Sequence, residues 1–110
     1  MNSTIQDATS AIEAAGFEAL QRLYSEAVEN ERDVGSVCAR LLLGLYHGRR
    51  FPFDLSDLRL LPPDLYRDAA AAIELDARVK RQEVHLYFVD GGTKFEKLAV
   101  DYQVVDRRRR

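Results

Sequence analysis

Val84-His85-Leu86-Tyr87-Phe88-Val89-Asp90-Gly91-Gly92-Thr93-Lys94-Phe95-Glu96 is the stretch whose reading decides the fold class. Read with a period of two, Val84, Leu86 and Phe88 alternate with His85, Tyr87 and Val89. Asp90-Gly91-Gly92 then supplies a turn, and the segment is a strand entering a hairpin. Read with the helical period, Val84, Tyr87 and Phe88 share one face, and Gly91 supplies a left-handed C-cap. Thr93 with Glu96 three residues on is then a capping box for a last helix burying Phe95, Leu98, Ala99 and Tyr102. The capping box favours helices. The expectation is an all-α, single-domain bundle of four to five helices; the alternative is α+β with a C-terminal hairpin at 84–100.

The remaining segments fit a helical chain. Ile12, Gly16, Leu20, Leu23 and Ala27, flanked by Phe17, Tyr24 and Val28, form one wide apolar stripe. After a polar break at 30–32, Val34, Val37, Cys38, Leu41, Leu42 and Leu45 form a second stripe. Asp33 is its expected N-cap and Gly48 its expected end. That helix is apolar nearly all round in its last turn, as a central core helix would be. Asp54 is placed to cap a short helix through Leu55, Leu58 and Leu61. Pro63 suits the first turn of a further helix through Leu65, Ala69, Ala72 and Ile73, whose alanines allow close approach to the core helix. Asp64 and Asp68 lie near its positive end. Residues 1–10 read as a loose N-terminus, 11–103 as the helical domain, and 104–110 as a flexible basic tail.

Length and composition narrow the function. A chain of 110 residues with 46% hydrophobic and 31% charged residues has the makings of one globular domain. No apolar run approaches the roughly 20 residues that span a bilayer, and Met1-Asn2-Ser3-Thr4 has neither basic nor apolar leader character. One cysteine, Cys38, excludes an internal disulfide, and a cytoplasmic home is expected. The net charge of −2 is unevenly spread. The first forty residues hold seven acids against three arginines, whereas Arg107, Arg108, Arg109 and Arg110 close the chain. An acidic body is poorly suited to wrap duplex DNA. It suits a protein partner, and a homodimer is compatible with it.

Motifs for catalysis are missing. Cys38, His47 and His85 are scattered, so no metal site and no cofactor are expected. Cys38 sits on an apolar stripe, where a thiol is inert. Gly91-Gly92 lacks any phosphate-binding framework. The segment that draws attention is Arg49-Arg50-Phe51-Pro52-Phe53-Asp54, in which two cations and two aromatics bracket a proline that fixes the turn. Arginine and aromatic side chains are enriched at binding hot spots, which makes Arg49, Arg50 and Phe51 candidate contacts. The competing reading is that Phe51 and Phe53 plug the core while the arginines pair with Asp54 or Asp57. Glu13, Glu18, Glu26 and Glu29 offer an acidic face. Arg49 and Arg50 with Phe51, a cation–aromatic grouping suited to stacking on bases, and the terminal arginines are the two footprints of a nucleic-acid alternative.

The stretch from about Leu41 to Ala99 resembles a small proteobacterial family of unknown function, encoded on plasmids and integrative elements. The residues that carry the resemblance are Leu43-Gly44-Leu45-Tyr46-His47-Gly48, Arg50-Phe51-Pro52-Phe53-Asp54-Leu55, Glu83-Val84-His85, Tyr87-Phe88 and Gly91-Gly92. An aromatic-bearing helix follows the double glycine in that family, and Phe95-Glu96-Lys97-Leu98-Ala99 is similar to it. The resemblance implies a helical fold and a mobile-element setting, with no activity and no assigned site. The expectation is a small non-catalytic accessory protein acting through protein–protein binding. One concrete form is an acidic inhibitor of a host defence or nucleic-acid-handling complex.

Overall fold

The first apolar stripe builds the longest element. In a computed structural model of the chain, α1 spans Asn2–Glu29, and Gly16, Ala19, Leu20, Leu23 and Ala27 are buried along it. The structure describes residues 2–30 and 32–108, with side chains from residue 8 onward. The helix thus begins well upstream of Ile12, within the segment read as loose. Extending an existing helix adds a hydrogen bond per residue without a new nucleation step, and Ala8 and Ala11 are strong helix formers. Phe17 and Val28, which widened the expected stripe, stay 41% and 51% exposed.

The second stripe forms α2, Asp33–His47, which contributes Val37, Cys38, Leu41, Leu42 and Leu43 to the centre of the core. Arg32, in extended geometry, takes the N-cap position; Asp33 lies inside the first turn and favours the helix through its charge. At the other end Gly48 keeps right-handed geometry, and the amides of Arg50 and Phe51 both donate to the His47 carbonyl. The chain then turns so that Phe51 enters the core, only 2% exposed. Asp54 caps the next segment as its position suggested, accepting from the Ser56 amide at 2.9 Å and hydroxyl at 2.7 Å. That segment, Leu55–Leu60, is a 3-10 helix.

Helix α3, Pro63–Glu74, starts on its proline and continues into a wider π turn over Leu75–Val79, closed by left-handed Lys80. It packs along α1, with only minor contact to α2. Gly16 explains the choice, because a Cβ there would lie 2.5 Å from the Leu75 Cβ and 3.1 Å from the Ala71 carbonyl oxygen. The alanines expected to meet the core helix, Ala69 and Ala72, are buried on this contact side of the bundle. Arg22 seals it from outside: its Nε and Nη2 bind Asp68, at 3.0 and 2.8 Å, and Asp68 is the one buried charged side chain among the described residues.

The ambiguous stretch is neither strand nor α-helix. Val84–Tyr87 make a single 3-10 turn, Phe88 is extended, and Asp90 takes the left-handed conformation at φ 54°. Helix α4, Gly91–Asp101, then begins two residues before Thr93, which sits exposed in its first turn. The expected capping box is not formed, and Glu96 is engaged elsewhere. Gly91 is needed for space rather than for left-handed φ: a Cβ there would lie 1.6 Å from the His85 carbonyl oxygen. Val84 and Phe95 are fully buried, and Tyr24, Tyr46, Phe88 and Phe95 make edge-on ring contacts at 5.2–5.4 Å, Tyr46–Phe95 among them. The fold is an all-helical single-domain bundle of about five helices, with no strand among the described residues.

Residues 104–108 depart from the expected loose tail. Left-handed Gln103 ends α4 in a Schellman turn, its amide donating to Val100 and that of Val104 to Ala99 at 2.9 Å. Val104 returns to the core, and the chain folds back toward α2. Arg109 and Arg110 lie outside the described residues.

Candidate functional site

The docked tail and the turn after α2 form one structure. The amide of Arg107 donates to the Arg50 carbonyl at 2.9 Å, which sets Arg107 beside Arg50 and its neighbour Arg49. Nη1 of Arg108 meets Nε2 of His47 at 3.1 Å, one turn further back. The two basic segments of the sequence therefore converge at one pole of the molecule, around an open concavity lined by His47, Arg50, Glu96, Val100, Asp106 and Arg108.

The arginines at this pole are not equivalent. The Arg50 side chain is 16% exposed, and its guanidinium lies 4.6 Å from the centre of the Phe51 ring. Nη1 and Nη2 donate to the two Glu96 oxygens at 2.6 and 2.8 Å, and Nε donates to Asp106 at 3.0 Å. Tyr46 donates its hydroxyl to Glu96 as well, at 2.5 Å. The Arg50 guanidinium, helped by the Tyr46 hydroxyl, holds the Glu96 carboxyl down at about 2. Burial, with Glu96 behind it, pushes the Tyr46 phenol up. Arg50 is thus a positioning residue that ties α2, α4 and the tail together. Arg49, Arg107 and Arg108 are exposed, and no carboxylate pairs with Arg49 among the described residues. Arg50 is matched by two internal acids, so these exposed arginines leave the pole positively charged.

Phe51 does not present its ring to solvent. It is a core residue beneath Arg50, so the stacking platform that the nucleic-acid alternative drew from it is absent. Glu13 stands apart from Glu18, Glu26 and Glu29, with which it was expected to form an acidic face. Glu13 is turned toward the other end of the chain, where it accepts from Arg81 Nε at 2.7 Å and from the Tyr87 hydroxyl at 2.9 Å. The Arg81 contact lowers its pKa. Glu18 lies 3.9 Å from Arg22, Glu26 accepts from Asn30 at 2.7 Å, and Glu29 is exposed. As partners of Arg50, Glu96 and Asp106 escaped the sequence reading because they lie 46 and 56 residues away, beyond any local spacing signal. Cys38 is fully buried, and burial pushes its thiol up to about 12, which keeps it protonated. Among the described residues, no group of three His, Cys, Asp or Glu side chains could hold a metal ion. No helix among them is long and apolar enough to cross a membrane.

The model of a family of unknown function, DUF7673, matches residues 17–103. The chain belongs to this family. The DUF7673 match takes in Arg49, Arg50 and Glu96 but stops short of Asp106, Arg107 and Arg108, so the family region supplies only one half of the basic pole. No curated protein and no solved structure is significantly similar to the chain.

Proposed function

We propose that this protein is a small, non-catalytic, cytoplasmic accessory factor of a mobile genetic element, and that it works by binding an acidic segment of another protein at the basic pole. The observation that carries this reading is the convergence of Arg49, Arg107 and Arg108 on a rigid base set by Arg50, on a chain whose net charge is −2. Guanidinium groups bind carboxylates in two-pronged fashion, and a short acidic segment fits within a patch of this size. A long nucleic acid would run past the pole onto a body that is acidic, and with Phe51 buried it would find no stacking ring there. The mobile-element setting rests on the resemblance carried by the Arg50–Leu55 and Glu83–Gly92 motifs.

The test is affinity capture from the native host with the wild-type chain and with an Arg49→Glu, Arg108→Glu variant, followed by mass spectrometry. The wild type should retain a partner that the variant loses, with the melting temperature unchanged. Submicromolar DNA or RNA binding that weakens steeply between about 50 and 200 mM salt would overturn the reading in favour of a nucleic-acid factor.

A further inference from the structure

The basic pole carries more than charge. Val100 lies one helical turn beyond Glu96 on α4, is 76% exposed, and lines the open concavity together with His47, Arg50, Asp106 and Arg108. It also lines an adjoining hollow that shares Arg50, Glu96 and Asp106. Along the tail the side chains alternate. Val104 turns to the core and Asp106 to Arg50, while Val105 stays 69% exposed between them and Arg107 is exposed beyond. A lone valine on a surface means little. Here an aliphatic side chain stands inside a concavity beside exposed cations, and that combination discriminates among ligands.

The carboxylates of the concavity decide which part of a ligand goes where. Arg50 directs Nη1 and Nη2 to Glu96 and Nε to Asp106, so one cation answers two acids. The Glu96 side chain is still 42% exposed. An incoming carboxylate laid against Val100 would meet that charge at close range and be repelled. The guanidinium groups of Arg49, Arg107 and Arg108 have no carboxylate partner among the described residues. Arg108, whose Nη1 meets His47 Nε2, brings its charge to the lining, and Arg49 and Arg107 lie outside it. Acid groups of a bound segment therefore belong at these three arginines, and an uncharged side chain belongs against Val100.

We infer that the segment recognised at the basic pole is a short acidic peptide stretch interrupted by one aliphatic residue, the aliphatic side chain seated against Val100 and the flanking carboxylates held by Arg49, Arg107 and Arg108. This rests on the reading of the pole as a site for an acidic protein segment, and it adds what sets the choice among such segments. An unbroken acidic run would leave Val100 in water and confront Glu96. A segment with a polar residue at the central place would keep the charge contacts but lose the burial of apolar surface. Val105, next to Asp106 on the tail, offers a second aliphatic contact beside Arg107.

The experiment is an amide NMR titration of the whole chain with three end-blocked peptides: Glu-Glu-Leu-Glu-Glu, Glu-Glu-Gln-Glu-Glu and Gln-Gln-Leu-Gln-Gln. The acidic leucine peptide should give saturable shifts at 47–50, 96–100 and 105–108. The acidic glutamine peptide should bind at the same place about fivefold more weakly, a comparison that needs no variant to fold. Val100→Ser, at a largely exposed position, should keep the melting temperature and bring the two acidic peptides to equal affinity. Equal binding of those two peptides by the wild type, or a leucine preference that survives Val100→Ser, would overturn the inference and leave the acid-binding reading of the pole standing. If neither acidic peptide gave saturable shifts at the pole, or if the uncharged leucine peptide bound as well as the acidic one, that reading would fall and the inference with it.

Discussion

Arg50 and Glu96 meet head-on, two guanidinium nitrogens against two carboxylate oxygens, although one follows α2 and the other lies in the middle of α4. The neighbouring arginine has no such contact. Arg50→Ala should therefore destabilise the fold by about 3 kcal/mol, because it removes the cation that Glu96 and Asp106 share. Arg49→Ala should stay within about 0.5 kcal/mol of wild type. Chemical denaturation of the two variants checks this, and equal effects would refute the division of labour between the arginines.

Acid should dissolve the same contact. The Glu96 carboxyl is depressed from 4.5 to about 2, so its contribution is present above the unfolded value and is lost as pH falls through the folded one. The side chain is 42% exposed, and solvent screening reduces the full linkage value to roughly 1 kcal/mol. The stability gap between wild type and Glu96→Gln should close between about pH 4.5 and about pH 2, measured by urea melts at stepped pH. A gap that persists unchanged at the acid end would show that the ionised pair is not its source.

The tail should divide at Asp106. A run of like charges has no packing role by itself, so the sequence led to the expectation that removing Arg107–Arg110 leaves stability untouched. The structure refines this, because Asp106 and the Arg107 amide are both bound to Arg50. Asp106→Asn should cost about 1.5 kcal/mol, the range of a hydrogen bond to a charged group. Truncation after Tyr102 should cost more, since it also removes Val104 from the core. Thermal melts of the two variants decide it.

The start of α4 offers the sharpest contrast. Gly91→Ala drives a Cβ into the His85 carbonyl oxygen, 1.6 Å away, and no flexible side chain is there to yield. The variant should lose more than about 4 kcal/mol or fail to fold. Thr93→Ala, which would cost about 1 kcal/mol if Thr93 were the cap, should be nearly neutral. Circular dichroism melts of the pair check this, and a loss of about 1 kcal/mol in Thr93→Ala would show that the capping box is formed after all.

These contrasts mark what the chain discloses locally and what it does not. The α2 stripe from Val34 to Leu45, the Asp54 cap and Pro63 at the head of α3 were legible because each is a relation among residues within a turn or two. The all-helical class was legible for the same reason. Two features of α4 and α1 were not, because they depend on atoms brought close by folding. Gly91 reads as a φ requirement when its actual role is to make room for His85, and Gly16 gives no sign that Leu75 will press on it. At the candidate site, the arginines could be named in advance. That one is fixed by distant acids while its neighbour faces water could not be, since the deciding partners lie half a chain away.

Cys38 gives the molecule a built-in reporter. It is the only thiol in the chain, lies at 0% exposure in the middle of α2, and is held in its unreactive protonated form. A maleimide or disulfide reagent can reach it only when α2 leaves its place between α1 and α4. Under conditions where reclosing outpaces modification, the labelling rate measures the free energy of that opening. A partner at the basic pole would slow it by the amount it stabilises the closed bundle. The core thus carries a clock against which any candidate ligand can be timed before its chemistry is known.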